Sequence, residues 1–498
     1  MFLVNIRAFF AFYPRTIAKV PSMNAPMTEL AAPAALRVLF EKQRLRAAAQ
    51  AQTTAEQRVE KLKKLLDYLM VHQEEARQAT YADLRKPAAE TTLGEIYVLT
   101  SEIKYTIKHL PRWMKPQRVP TPLSALGTSG YVQYEAKGNA LIMAPWNYPI
   151  NLALKPLVSA VAAGCVAVVK PSELTPHSSA FVRKVIEAVF AEEEVAVVEG
   201  DAAVAQALLE LPFNHIFFTG SPAIGKIVMK AAAEHLASVT LELGGKSPAI
   251  VDETADLRAT ARTLAWGKYL NNGQTCIAPD YVLVHNSVKD KLVDELKGAI
   301  GAMYDPEGRG MMASENYARI VNQNHFERLQ RYLDDALNQG AVVAVGGQST
   351  PADRYLQPTV LTHVTERMKV MQEEIFGPIL PVLTYQTPTE AVDYVNARPK
   401  PLALYVHSRR AARADYFLKN ISAGNALVNE VLTQFGHHEL PFGGVNNSGI
   451  GKSNGFYGFQ EFSNPKGVVK RKFGTLRFLY PPYTERQQRI LGWLVKYL

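Results

Sequence analysis

The chain has 498 residues, 47% hydrophobic and 20% charged, with 31 Gly and 30 Pro, which excludes a disordered protein and leaves room for two or more domains. Two cysteines, Cys165 and Cys276, exclude a disulfide scaffold and a cysteine-rich metal site; they suit a reducing compartment, so a cytoplasmic location is expected. The formal charge of +9 is partly local, because Lys466 to Leu498 holds eight basic residues and one acid, Glu485; it gives no reason to invoke nucleic acid.

Residues 1–30 read as a flexible extension. Their apolar run is interrupted by Arg7 and Arg15, which makes a poor secretory signal. A basic targeting segment, or a start at Met23 or Met27, are the other readings. No stretch reaches 18 consecutive apolar residues, so no spanning helix is expected. Over 33–80, Leu62, Leu65, Leu66, Leu69 and Met70 recur at helical intervals. Residues 113–135 are too rich in Pro, Thr and Gly for a helix.

From Ala140 short apolar strands alternate with helices. Strands are predicted at 140–144, 166–169, 195–198, 216–218 and 239–241, with helices to about Ala163 and over 176–191, 202–210 and 222–235. A second set follows between Ala255 and Asn429. Its helices are near 255–270, 288–300, 318–338, 389–397 and 411–420, and its strands near 281–285, 341–345, 380–385, 402–406 and 425–428. Such alternation predicts an α/β fold with mostly parallel sheets, whose ligands sit beyond the carboxyl ends of the strands. After Tyr480-Pro481-Pro482-Tyr483, residues from Ile490 to Leu498 predict a helix apolar on nearly all sides. It calls for cover from its own subunit, a second copy, a site mouth or a membrane interface.

The polar punctuation falls at strand ends. Asn271-Asn272-Gly273-Gln274-Thr275-Cys276 is a turn that presents one thiol, and a thiolate nucleophile needs a base and an oxyanion donor. By itself Cys276 reads equally as a small buried hydrophobe, which is the reading for Cys165. Ser221 and Pro222 suit the N-cap and first turn of a helix. Gly220 to Lys226 follows most of a P-loop, but Ile227 stands where Ser or Thr should hold magnesium. Asn147, in Pro145-Trp146-Asn147-Tyr148-Pro149, is an ordinary turn residue unless a nucleophile lies beside it. His437 and His438 have no carboxylate or cysteine at ligand spacing, so they read as loop histidines and no metal is expected.

Those stretches, with Phe218-Thr219-Gly220-Ser221, Leu241-Glu242-Leu243-Gly244-Gly245 and Glu373-Glu374-Ile375-Phe376-Gly377-Pro378, resemble the signature set of the aldehyde dehydrogenase superfamily. The likeness runs from about Gln57 to Tyr483, in the family's order and spacing. Ile277-Ala278-Pro279-Asp280-Tyr281 and the Pro-Pro tail look most like the class 3 branch, which handles fatty and aromatic aldehydes.

The resemblance implies a Rossmann-like NAD(P)-binding domain over 31–115 and 136–241 and a catalytic domain over 242–430. Oligomerisation or bridging elements at 116–135 and 440–475 and a tail at 476–498 complete it. It implies NAD as coenzyme, with NADP left open, an apolar aldehyde as substrate, and a homodimer. The tail is expected to be a substrate-entrance lid or a peripheral membrane contact. Cys276 matches the nucleophile, Glu242 the general base and Asn147 the oxyanion donor. Lys170 and Glu173 match the residues on the adenosine ribose. Gly220, Ser221 and Gly225 match the dinucleotide turn, Glu374 and Phe376 the nicotinamide ribose, and Trp146 and Leu243 its surroundings. Tyr148 and Phe442 are expected in the aldehyde tunnel. A CoA-acylating enzyme is the first alternative, although that branch commonly lacks the base at Glu242. A non-catalytic binding protein should have lost Cys276, Glu242 or Asn147, and all three are present.

Overall fold

A computed structural model describes residues 32–475 and 480–497. The extension expected over 1–30 lies outside them. The helical pattern at 33–80 resolves into Pro33–Ala51, Ala55–Val71 and Gln73–Leu84. Thr54 and Gln57 start the second by a reciprocal capping box, each side chain accepting the other's backbone N–H. Leu62, Leu65 and Leu69 bury its inner face.

The first sheet has the spatial order Gly449–Ile450, Ser238–Leu243, His215–Gly220, Asn139–Met143, Val166–Lys170, Val195–Val197. All pairings are parallel except that of the short Gly449–Ile450 edge. The chain begins at Asn139–Met143 and winds outward both ways, so the order reverses between that strand and His215–Gly220. The Asn147 turn and the Gly220-Ser221 turn leave the carboxyl ends of these two strands, which is where such sheets bind ligands.

The second sheet runs Val342–Val345, Thr359–Thr362, Ile379–Tyr385, Tyr281–His285, Pro248–Val251, Ala403–His407, Asn425–Val428, parallel except at Val342–Val345. Two of its strands, Pro248–Val251 and Thr359–Thr362, are absent from the sequence-based expectation. Both are short, and a proline stands within or beside each. The helix expected from 318 begins at Gln323, because the preceding residues are drawn extended through the interior: Tyr317 donates its hydroxyl to Leu356 O at 2.9 Å, and Arg319 N bonds Leu84 O at 2.8 Å. Asn322 then caps the helix through His325 N.

Residues Gln117–Val119 and Thr128–Ala136 form a small antiparallel sheet with Ser463–Arg471, in register from Ser463 opposite Ala136 to Arg471 opposite Thr128. The last helix, Glu485–Tyr497, starts in the polar segment before the apolar stretch. None of its residues is buried, so its own subunit does not cover it; Trp493 is 57% and Val495 88% exposed. Glu485, Arg489 and Lys496 share one side at helical spacing.

Candidate active site

Cys276 owes its placement to the residues before it. Asn271, Asn272 and Gly273 adopt φ of 50°, 58° and 73°, three left-handed residues in succession, which favours Asn and Gly. A Cβ on Gly273 would strike the Gly377 carbonyl. The side chains then lock the turn. Gln274 donates to Arg319 O at 3.0 Å and accepts from Val321 N at 2.9 Å, while Asn272 donates to Ala318 O at 3.0 Å. Asn271 reaches Asn147 O at 2.9 Å, and Asn147 Nδ2 returns a bond to Gln274 O at 3.0 Å. The Asn147 turn and the Cys276 turn, which follow different sheets, are therefore stitched together.

Glu242 lies on Ser238–Leu243, and its Oε1 accepts from Ser453 Oγ at 3.0 Å. Its Oε2 is buried without a partner. Burial pushes this carboxyl up to about 8, against the opposing bond from Ser453 and the charges of Lys452 and Lys155. Burial also raises Glu374 to about 8, with Asp280 adding to the shift. Gly244 makes room for it, since a Cβ there would collide with the Glu374 carboxyl. Burial first, then Glu374 and Glu242, push the Cys276 thiol up to about 12.

Two cavities meet at Cys276 and Glu242. One, of about 520 Å³, is bounded by Trp146, Thr219, Ser221, Gly244, Glu374 and Phe376. The other, of about 30 Å³, is largely apolar, with Phe435, Phe442 and Leu243 beside Lys155, Ser453 and Asn454. In the larger cleft Trp146 packs edge-on against Phe376, centroids 5.3 Å apart, and Phe376 takes a left-handed φ of 48°. Gly220 and Ser221 line the cleft, and Ser221 caps the Pro222–Glu234 helix through Ile224 N at 3.4 Å. Thr219 Oγ1, also on the wall, is buried and unpartnered. A long cleft at a strand-order reversal, with a capped helix N-terminus and orphaned polar atoms, fits a dinucleotide.

Other expected residues fall differently. Gly225 lines neither cavity; it lets its helix approach Leu243, which a Cβ would strike. Leu243 lines the small cavity and not the cleft. Lys170 is buried and pairs with Glu173 at 3.1 Å, and neither lines the cleft. Tyr148, expected in the tunnel, lines neither cavity: it is buried with its hydroxyl 3.1 Å from Thr275 Oγ1 and the Lys86 ammonium 4.1 Å from its ring centroid. Phe442 does line the small cavity. His438 is no free loop histidine, since its Nδ1 bonds Glu102 at 2.7 Å and its Nε2 Ser101 at 2.8 Å. Among the described residues no three His, Cys, Asp or Glu gather as metal ligands. Cys165 is core, as read.

The sequence reading missed Ser453, Lys155, Lys86 and Glu95. No local pattern marks them, because each acts on a partner more than fifty residues away except in the Lys86–Glu95 pair, which is buried on both sides at 2.7 Å.

A doubly wound sheet with a dinucleotide-sized cleft at its order reversal, joined to a thiol-bearing α/β unit, is the frame of a dinucleotide-linked enzyme. The aldehyde dehydrogenase family matches residues 12–468, and the chain belongs to that family. It is an NAD(P)-dependent aldehyde dehydrogenase of the class 3 branch. It is 42% identical over 443 residues to aldehyde dehydrogenase family 3 member B1 of Rattus norvegicus, covering 88% of this chain and 92% of that one. It is 42% identical over 412 residues to the 4,4'-diaponeurosporen-aldehyde dehydrogenase of Staphylococcus aureus, covering 83% and 88%. The solved substrate-bound AldH of Staphylococcus aureus superposes with a TM-score of 0.87 at 39% identity, covering 92% of this chain and 99% of that one.

Proposed function

We propose that the protein oxidises apolar aldehydes, medium- or long-chain aliphatic or aromatic, to carboxylic acids through a covalent intermediate on Cys276. The observation that carries this reading is the position of Cys276 where the dinucleotide-sized cleft meets the small apolar cavity, with the Glu242 carboxyl on the same walls. Cys276 Sγ loses its proton to solvent and attacks the aldehyde carbon, giving a thiohemiacetal. One N–H of Asn147 Nδ2 is engaged by Gln274 O; the amide carries a second, which stabilises the oxyanion together with the Cys276 backbone N–H. NAD(P), when bound, supplies the hydride acceptor, and Trp146, Ser221, Glu374 and Phe376 would hold it in the larger cleft. The thioester left on Cys276 is hydrolysed by water that gives its proton to Glu242.

Phe435, Phe442, Leu152 and Leu402 around the small cavity support an apolar acyl group. At about 30 Å³ that cavity must widen to admit a long chain, and Phe435 and Phe442, in edge contact at 5.0 Å, are the side chains whose rotation opens it. The relative named as a 4,4'-diaponeurosporen-aldehyde dehydrogenase supports such a substrate class. The buried acid at Glu242 favours hydrolysis over transfer to CoA. The deciding experiment is rapid mixing of Glu242→Gln with a long-chain aldehyde and coenzyme: a burst of reduced coenzyme followed by slow turnover is expected. Cys276→Ala should bind coenzyme and give no burst. Turnover above about 1% of wild type in Cys276→Ala removes it from the nucleophile role, because without the thiol no thioester can form.

A further inference from the structure

Beyond Phe442 the chain doubles back and pairs with it. Phe442 N bonds Ser453 O at 3.1 Å and Ser453 N bonds Phe442 O at 2.6 Å. This brings Ser453 and Asn454, neighbours in sequence, to two oppositely charged groups. Ser453 Oγ donates to Glu242 Oε1 at 3.0 Å. Asn454 Oδ1 accepts from Lys155 Nζ at 2.5 Å. The buried Lys155 ammonium also donates to Phe435 O at 3.3 Å and lies 3.9 Å from the Phe435 ring centroid. Its hydrogen-bond partners are neutral, although it feels the charge of Glu102 and then that of Glu242, and it lines the same small cavity as Glu242. The second nearby cation is occupied similarly, since Lys452 Nζ donates to Gly443 O at 2.7 Å and Gly444 O at 3.0 Å.

We propose that Ser453 and Asn454 are paired positioning residues for the Glu242 base. Ser453 holds the carboxyl, and Asn454 occupies the neighbouring ammonium so that Lys155 and Glu242 do not close into an ion pair. The proposal rests on the reading of Glu242 as the base that activates water. A buried ion pair would hold the carboxylate ionised and weakly basic, with its lone pairs spent on Lys155 rather than on water. The groups facing Glu242 are Ser453, Lys452, Lys155, Glu461 and the Cys276 thiol. Only Lys155 and Ser453 are set by this dipeptide. Loss of the Ser453 bond therefore raises the basicity of Glu242, whereas release of Lys155 lowers it.

The test is the pH dependence of acyl-enzyme hydrolysis in the coenzyme-loaded enzyme between pH 6 and 10, with melting temperature and coenzyme affinity measured for each variant. The wild-type rate should rise through a midpoint near 8. Ser453→Ala should move the midpoint up by about one unit, the worth of a hydrogen bond to a charged group, and Ser453→Thr should leave it in place. Asn454→Gly, chosen because Asn454 has a φ of 77°, should move the midpoint down. Adding Lys155→Met to Asn454→Gly should reverse that shift. Shifts in the same direction for Ser453→Ala and Asn454→Gly overturn the proposal. So does an unmoved midpoint in Ser453→Ala while Glu242→Gln abolishes hydrolysis, and this arm decides alone if Asn454→Gly does not fold. Hydrolysis at the wild-type rate in Glu242→Gln instead overturns the base reading itself.

Discussion

At the scale of single residues, the site is built from groups held in their neutral forms. Burial, then the charges of Glu374 and Glu242, raise the Cys276 thiol to about 12, so it stays protonated at pH 8. Iodoacetamide should alkylate it slowly, with a rate that rises in proportion to hydroxide up to pH 10. A rate that plateaus near pH 7 would show a thiolate already formed. Glu242 and Glu374, both near 8, carry a cost that can be read from stability. A carboxyl whose folded pKa is raised binds more protons folded than unfolded between about 4.5 and 8. Stability from that group is therefore full below 4.5 and is lost as pH rises through 8. Glu374→Gln removes the titration, so its melting temperature should exceed wild type by more at pH 9 than at pH 6. An equal difference at both values would show that burial does not hold Glu374 neutral.

At the scale of elements, the Asn147 turn is held from outside by a π-helical turn, Thr92–Tyr97. That extra residue per turn puts Glu95 in the interior, where Oε1 accepts from Lys86 Nζ at 2.7 Å and Oε2 from Asn151 N at 2.9 Å. Lys86 in turn donates to Asn147 O at 2.9 Å. Glu95→Gln leaves a buried ammonium without its counter-ion and should cost about 3 kcal/mol or more in denaturant unfolding. A loss below 1 kcal/mol would show that water or another group reaches Lys86. Nothing in the sequence exposes this support. Strands such as Tyr281–His285 and Asn425–Val428 are legible because their apolar runs are continuous, and the site motifs because their residues are contiguous. Lys86, Glu95, Lys155 and Ser453 act across the fold, and a π-turn has no local signature. Tyr148 shows the same limit: an aromatic beside a site residue reads as lining, while contacts to Thr275 and Lys86, distant in sequence, hold it in the interior.

At the scale of the whole molecule, the small sheet and the last helix are the parts with unfinished surfaces. Ser463–Arg471 presents an open strand edge with Val469 70% exposed. The Glu485–Tyr497 helix exposes Ile490, Leu491, Val495 and Tyr497 away from the side of Glu485, Arg489 and Lys496, with Trp493 beside that charged side. Its 13 residues reach only about 20 Å, short of a bilayer span. No helix among the described residues is long and apolar enough to cross a membrane. A two-sided helix with aromatic and cationic residues suits either a tunnel mouth or a membrane interface, where an apolar aldehyde would be dissolved. Deletion of 485–498 should therefore raise KM for a long-chain aldehyde several-fold more than for a short one, and less protein should float with anionic liposomes. A lid alone would move KM without changing flotation. Equal losses on both aldehydes, accompanied by a shift from dimer to monomer in sedimentation, would show instead that the apolar face clasps a second copy, because only then does its removal act through the assembly and not through the substrate's chain length.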